Sequence, residues 1–445
     1  MRFLDWLRPG IKVKRWIMFG VLGLLLIFFG LQLMVRNRFY NYYYISYYIF
    51  VIITGVFLLY IAITQGMKAV IALVNKGYLN VSINSRKLES MIYEKRLLVK
   101  GPKIVVIGGG TGLSTMLRGL KYYTSNITAV VTVADDGGGS GQLRGDLGIL
   151  PPGDIRNCIL ALADTEPLME ELLQYRFKDG MLKNQSFGNL FLAAMDGISG
   201  NFEEAVKKMS SVLAVTGRVV PVTLDDVVLK ARLKNGCIAI GESHIGKVVA
   251  KESSPIDRVF IDPEDASAVG EAVEAILEAD AIILGPGSLY TSVIPNLLIK
   301  DITSAIHKSK AIKMYVCNIM TQRGETDGYN VEDHLKAIFK HSRQGIVDYA
   351  IVNVGKPEEE LAKKYLGETS TLVNMDEEKI NAMGVKVIEG DFISVRGGLL
   401  RHNSDKLASI LIQTIMEKTL LYDRKKIIEY FYLSERLKEK NKNRE

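Results

Sequence analysis

Two kinds of residue in this 445-residue chain stand at spacings that could do chemistry: glycine-rich turns behind apolar runs, and a pair of adjacent aspartates. The densest turn is Gly108, Gly109, Gly110, Thr111 and Gly112, between the apolar run Lys103 to Ile107 and Leu113, Met116, Leu117 and Leu120 at helical spacing. Glycine lets the backbone approach an anion, and a helix start offers unpaired N–H groups and the positive end of its dipole. The order predicts a phosphate or nucleotide site. A second unit of the same order is Ala281 to Leu284 followed by Gly285, Pro286, Gly287 and Ser288, where hydroxyls add donors. Two such loops in one domain point to a shared anion site. Neither G-x-G-x-x-G nor the P-loop pattern fits the first turn.

Asp135 and Asp136 end a second apolar run, Ile127 to Val133, and lead into Gly137, Gly138, Gly139, Ser140 and Gly141, read as a loop. They could hold a divalent cation, accept from sugar hydroxyls or act as a base; alternatively one of them caps a turn. Adjacent side chains diverge, so one of the pair is expected at a ligand, with Asp136 favoured. In Leu150 to Cys158, Asp154 is placed to cap a helix, and Arg156 and Asn157 fall in its first turn. Arg156 offers a fork to phosphate or carboxylate, or an ion pair with Asp154 or Asp164. Asn189 serves a base or sugar edge, or a cap. Asn318 and Gln322, with Glu325 close behind, read a nucleobase or close a loop. The five histidines are isolated and no Ser or Cys has an activating neighbour in sequence, so no catalytic residue is assigned. Any chemistry would be metal-assisted transfer, with Asp135 and Asp136 as metal ligands and Mg2+ as the ion.

Strand-like runs alternate with helical patterns from Pro102 onward. Beyond the three runs above, a hairpin strand is expected at Cys237 to Gly241, and buried strands at Lys313 to Asn318 and Tyr349 to Val354. Helices are expected at Asn201 to Leu213, Ala266 to Glu278, Asn296 to Ser309 and Val331 to Phe339, and over 404–440 with Leu407, Ile410, Leu411 and Ile415 inward. The alternation predicts an α/β doubly wound, mainly parallel sheet with ligands beyond the carboxyl ends of its strands.

Trp16 to Val35 and Phe39 to Met67 carry no charged residue, and each is long enough to span a bilayer. Arg2, Arg8, Lys12, Lys14 and Arg15 precede the first, and Lys68, Lys76, Arg86 and Lys87 follow the second, against Arg36 and Arg38 between them. The positive-inside rule then places both termini and the main domain in the cytoplasm. The organisation expected is a membrane hairpin over 1–67 with spans about 16–35 and 45–67, a linker over 68–101, a soluble domain over 102–420 and a basic tail over 421–445. Cys158, Cys237 and Cys317 lack metal-ligand spacing and read as reduced thiols. The net charge of +7 resides largely near the spans and in the tail, which favours anionic lipid over nucleic acid as a partner.

The ordered motifs VIGGGTGLS, TVADDGGGSG, PPGDIRN, SFGNL, GPGSLYTS, CNIMTQRGET and RHNSDKLA resemble the gluconeogenesis-factor proteins of the YvcK type. Their wider superfamily includes CofD, the phospholactate transferase of deazaflavin-cofactor synthesis. The resemblance spans Pro102 to the 410s. It implies a Rossmann-like fold that binds UDP-sugars, notably UDP-N-acetylglucosamine, and a role in gluconeogenic growth, cell shape and cell-wall precursor balance. It further implies nucleotide and phosphate contacts at Gly109, Gly110, Thr111, Gly112, Asn189, Gly287 and Ser288, with Asp135 and Asp136 on the sugar or metal side. Gly139, Gln142 and Gln185 depart from the family pattern at positions where relatives commonly carry a hydroxyl, a basic residue and a histidine. Those departures weigh against inherited transferase chemistry. Three readings result: a membrane-anchored UDP-sugar-binding regulator, a metal-dependent phospho-group transferase using a nucleotide-activated donor, and a scaffold for cell-wall-synthesis proteins. A homo-oligomer is compatible with each.

Overall fold

The protein, a computed structural model, is described at residues 13–36, 42–77, 98, 101–165, 167–357, 370–396 and 398–419. It divides into two units, Met1–Glu94 and Lys95–Glu445.

The first unit holds helices α1 (Val13–Arg36) and α2 (Tyr42–Gly77). Their segments Trp16–Val35 and Tyr44–Gly66 are long and apolar enough to cross a membrane, and Phe28, Phe50 and Tyr60 on them are exposed. Small residues bring the two helices together. A Cβ on Gly23 would lie 2.7 Å from the Gly55 carbonyl oxygen, and one on Gly30 would lie 2.7 Å from Ile52. Residues 68–77, expected to be linker, continue α2. The remainder of the expected linker up to residue 97, and the tail over 421–445, lie outside the described residues.

The second unit contains strands β1 (Ile104–Gly108), β2 (Ile127–Val131), β3 (Arg218–Pro221), β4 (Val228–Leu233), β5 (Ile238–Ile240) and β6 (Ile256–Asp262). They are followed by β7 (Ala281–Leu284), β8 (Ile312–Val316), β9 (Tyr349–Asn353), β10 (Lys386–Gly390), β11 (Ile393–Arg396) and β12 (Leu399–His402). Its helices are α3 (Gly110–Leu120), α4 (Gly138–Leu147), α5 (Pro152–Leu162), α6 (Pro167–Gln174), α7 (Phe187–Ser199), α8 (Phe202–Val212) and α9 (Glu242–Glu252). Then come α10 (Gly270–Glu278), α11 (Ile294–Leu298), α12 (Lys300–Lys308), α13 (Val331–His341), α14 (Glu377–Ala382) and α15 (Ser404–Thr419).

Seven strands form one parallel sheet in the order β10-β9-β8-β7-β1-β2-β3, with helices on both sides. β1, β2 and β7 are buried along their whole length, as their continuous apolar runs require. The chain passes from β1 to β2 and β3 on one side, then returns to β7 on the other side of β1. The carboxyl ends of β1 and β7 therefore flank a topological switch point, where an open α/β sheet leaves a crevice. The doubly wound architecture expected from the alternation is the one observed.

The run around Cys237 is the expected hairpin strand: as β5 it pairs antiparallel with β4, in a three-stranded group ordered β5-β4-β6. Other elements differ from expectation. Gly138 to Gly141, expected in a loop, start α4. The helix expected over Asn296 to Ser309 is broken: a π-helical turn at Leu289–Val293 precedes α11, Pro295 opens α11, and extended Ile299 separates it from α12. In α15, Leu407, Leu411 and Ile415 are fully buried and Ile410 packs against the core.

Candidate functional site

The two glycine turns meet at the switch point. Gly108 and Gly285 end their strands face to face, a Cβ on Gly108 falling 3.7 Å from the Gly285 Cα. A Cβ on Gly112 would lie 2.7 Å from the Pro286 carbonyl oxygen, and one on Gly287 3.1 Å from that of Gly109. A side chain at Gly112 would collide with the Pro286 carbonyl and one at Gly287 would crowd that of Gly109, whereas Gly108 has room for ordinary contact. Gly110 opens α3 at φ +69°, in the left-handed region where glycine alone is unstrained. Asn318, at the end of β8, holds the second turn in place: its Oδ1 accepts from Gly287 N–H at 3.3 Å and its Nδ2 donates to the Gly287 carbonyl at 2.9 Å.

These loops line a cleft of about 310 Å³ that includes Gly110, Thr111, Gly112, Gly287, Ser288, Ser292, Asn318 and Gln322. The first-turn N–H groups of α3 have no acceptor within the helix, and the hydroxyls of Thr111, Ser288 and Ser292 stand beside them. Arg323 and Arg401 supply positive charge at the same cleft. His402 also lines it, but burial pushes its imidazole down to about 4, so it is neutral at pH 7. Arg323, Arg401 and His402 were not singled out as site residues from sequence, although the first lies inside the CNIMTQRGET motif and the other two open the RHNSDKLA motif at the end of β12.

A wall of carboxyl groups adjoins the glycine turn. Asp154 does not cap its own helix, whose N-cap is Pro151. Its carboxylate accepts from Gly110 N–H and sits 2.5 Å from where a Gly109 Cβ would be. Burial, then the nearby Asp135, raises it to about 6. Glu242, the first residue of α9, is raised to about 7 by burial and by Asp135, Asp136 and Asp154. Glu325 is raised to about 7 by burial and by Glu242. Thr291 lies between these two: its hydroxyl is 3.3 Å from Glu325 Oε1 and also reaches Glu242. A hydroxyl has one proton to donate, so it satisfies both when one carboxyl is itself protonated. Glu325 Oε2 has no partner.

Asp135 and Asp136 belong to this wall rather than to the cleft. Asp135 accepts from Gly137 N–H at 2.9 Å and from Ser140, and burial raises it. Asp136, favoured from sequence as the ligand contact, accepts from Ser243 N–H at 2.8 Å and so anchors the start of α9. Among the described residues no three His, Cys, Asp or Glu side chains converge on a metal position. Asp135 and Asp136 each turn one oxygen, Oδ1, to a backbone N–H, of Gly137 and Ser243 respectively.

The remaining candidates form a third, buried group. Arg156 donates to Ser186 Oγ at 2.6 Å and to Asn157 Oδ1 at 2.7 Å, and forms no ion pair with Asp154 or Asp164. Ser186 caps α7 by accepting from Asn189 N–H at 3.2 Å. The Asn189 carboxamide oxygen is buried without a partner. Gln322 donates one amide N–H to Glu325 Oε1 at 2.6 Å and keeps a second N–H and its carbonyl oxygen. One neighbour contact escaped the sequence reading: Ser243 Oγ lies 3.3 Å from His244 Nδ1 beside Asp136.

Residues 104–393 match the family model described as 2-phospho-L-lactate transferase CofD. The fold and this match define a CofD-like α/β protein. A putative gluconeogenesis factor of Clostridium acetobutylicum is 68% identical over 443 residues, covering 99% of this chain and 98% of the relative. The gluconeogenesis factor of Bacillus subtilis is 47% identical over 317 residues, covering 71% of this chain and 99% of the relative. A crystal structure of an upf0052 family protein from Bacillus halodurans superposes with a TM-score of 0.67 at 47% identity, over 70% of this chain and 99% of that one. The chain belongs to the gluconeogenesis factor family, which links it to gluconeogenesis. The Bacillus proteins consist almost wholly of the matched part, and that of Bacillus halodurans crystallised as such, which is the ground for expecting the second unit to fold on its own.

Proposed function

We propose that this protein is a membrane-anchored, cytoplasm-facing regulator that binds a UDP-activated sugar, UDP-N-acetylglucosamine being the first choice. The single observation that carries the reading is the meeting of two glycine turns at the switch point beside a carboxyl wall. The N–H-lined side with Arg323 and Arg401 suits a diphosphate, and the carboxyl side suits sugar hydroxyls, which donate to such acceptors. Cell-wall precursor balance and cell shape are the outputs proposed, together with gluconeogenic growth. The Clostridium relative spans nearly the full chain, including the hairpin region, which supports treating the anchor as part of the working protein.

The test is thermal shift of the fragment Lys95–Glu445 with UDP-N-acetylglucosamine, UDP-glucose, UDP and GDP, each with and without magnesium. Ligand at a hundredfold over its dissociation constant should stabilise by about 2.7 kcal/mol. A shift with UDP-sugars and none with GDP is the expected result. A second reading, phospho-group transfer from a nucleotide-activated donor, is favoured by the Ser243–His244 contact within the carboxyl wall and by the description of the matched family model. A shift with GDP alone, or product release from a labelled donor, would replace the first reading by the second.

A further inference from the structure

One exposed apolar segment of the second unit has no part in the cleft. On α6, Leu168, Met169 and Leu172 are exposed, with Leu168 75% accessible, while Leu173 is buried. Tyr175 continues this face into a short hairpin, where Met181 is 99% accessible and Leu182 is exposed beside it. The hairpin is a built structure rather than a loose end. Phe177 N–H donates to the Gln185 carbonyl at 3.0 Å, Asn184 N–H to the Phe177 carbonyl at 2.9 Å, and Phe187 N–H to the Tyr175 carbonyl at 2.9 Å. The Tyr175 and Phe177 rings pack edge to face at 5.3 Å, and Arg176 donates to the Asn184 carbonyl. Water-facing methionine and leucine at the tip of a pinned turn cost solvation energy and return no packing.

We infer that the α6 face and the 175–185 hairpin dock on an anionic lipid surface, with Met181 and Leu182 entering the headgroup and acyl boundary. The neighbouring charges favour lipid over protein. Arg176, Lys178 and Lys183 flank the tip against the single acid Asp179; on α6, Glu170 is paired with Arg118 at 2.8 Å, which leaves Glu171 as its exposed acid. Aliphatic and aromatic side chains rimmed by lysines suit a bilayer interface, where long cationic side chains reach the phosphates. Lysine is depleted from protein–protein interfaces, which argues against a second copy of this chain. The sequence also joins this unit to two helices apolar enough to cross a membrane, so a lipid surface is the partner present at high effective concentration. The inference extends the membrane-anchored reading, and its test omits the anchor so that the two can fail separately.

The fragment Lys95–Glu445 contains no tryptophan, since both tryptophans of the chain, Trp6 and Trp16, precede it. Met181→Trp therefore places a lone reporter at the tip. With phosphatidylcholine vesicles containing phosphatidylglycerol, its emission should shift to the blue and be quenched by lipids brominated near the headgroup; pure phosphatidylcholine should give a weaker effect. In co-sedimentation with the same vesicles, Met181→Asp combined with Leu182→Asp should weaken binding by about tenfold or more. These side chains are solvent-exposed, so the melting temperature should not change. Unaltered binding by the double variant, or an unshifted and unquenched reporter, would overturn the inference. So would a dimer in sedimentation equilibrium that the double variant dissociates without vesicles, which would assign the face to a second copy.

Discussion

Asp154 changes what the glycine turn can offer a ligand. Its carboxylate takes the Gly110 N–H, so under the proposed function the N–H groups left for an anion begin at Thr111 and Gly112. Gly110 keeps a conformational role at φ +69° and Gly112 a steric one against the Pro286 carbonyl. Gly110→Val and Gly112→Ala should each weaken UDP-sugar binding by about tenfold or more, measured by calorimetry, because one strains the helix start and the other separates the loops. Binding equal to wild type in both would remove the cradle from the site. Glu325 yields a prediction with a definite sign. Its folded value, about 7, lies above its ordinary 4.5, so the folded state holds a proton that the unfolded state has released. The stability it contributes is complete below about pH 4.5 and is lost as pH rises through 7. Glu242 and Asp154 act in the same direction. Glu325→Gln keeps an acceptor for Thr291 and Gln322 and removes the charge. It should flatten the fall in melting temperature between pH 5 and 8 and stabilise the domain at pH 8 by on the order of 1–3 kcal/mol. Parallel melting curves for variant and wild type would contradict it.

At the scale of elements, the cleft depends on how three strand ends are tied together. Asn318 ends β8 yet its carboxamide is spent on Gly287, which couples the β7 turn to the neighbouring strand. Asn318→Ala should loosen that turn and weaken ligand binding by about tenfold, with a loss of stability near 1–2 kcal/mol from two hydrogen bonds. A loss of stability without a loss of affinity would make Asn318 purely structural. The π-helical turn at Leu289–Val293 matters in the same way. It carries Thr291 toward the carboxyl wall and Ser292 toward the cleft, the two halves of the site. Periodicity could not show this: a regular helix pattern covers Asn296 to Ser309, whereas the real path is interrupted at extended Ile299.

At the scale of the whole molecule, the two units make different demands on their surroundings. The first exposes Phe28, Phe50 and other large apolar side chains along helices that pack through Gly23, Gly30 and Gly55. The full chain should remain with membranes after alkaline carbonate washing, and the fragment Lys95–Glu445 should be soluble and melt in one cooperative transition. Release of the full chain by carbonate would show that these helices do not span. Gly23→Leu should loosen the hairpin, since its side chain would meet the Gly55 backbone, and should leave the melting of the soluble fragment's counterpart unchanged.

The sequence by itself determined the parallel sheet, the two glycine turns and the apolar spans, because each is written in local order: buried β-branched runs, glycine before a helical period, and long uncharged stretches. Asp135, Asp136 and Asp154 were visible as polar residues at strand and helix ends, but not the direction in which each carboxylate points. Tertiary structure alone decided that Asp154 meets Gly110, that Asp136 anchors α9 and that Arg156 turns inward to Ser186. It also brought Glu242 and Glu325, separated by most of the later domain, to the same Thr291 hydroxyl. Such pairings depend on strand order and on where the chain crosses back over β1, and no local pattern encodes that crossing.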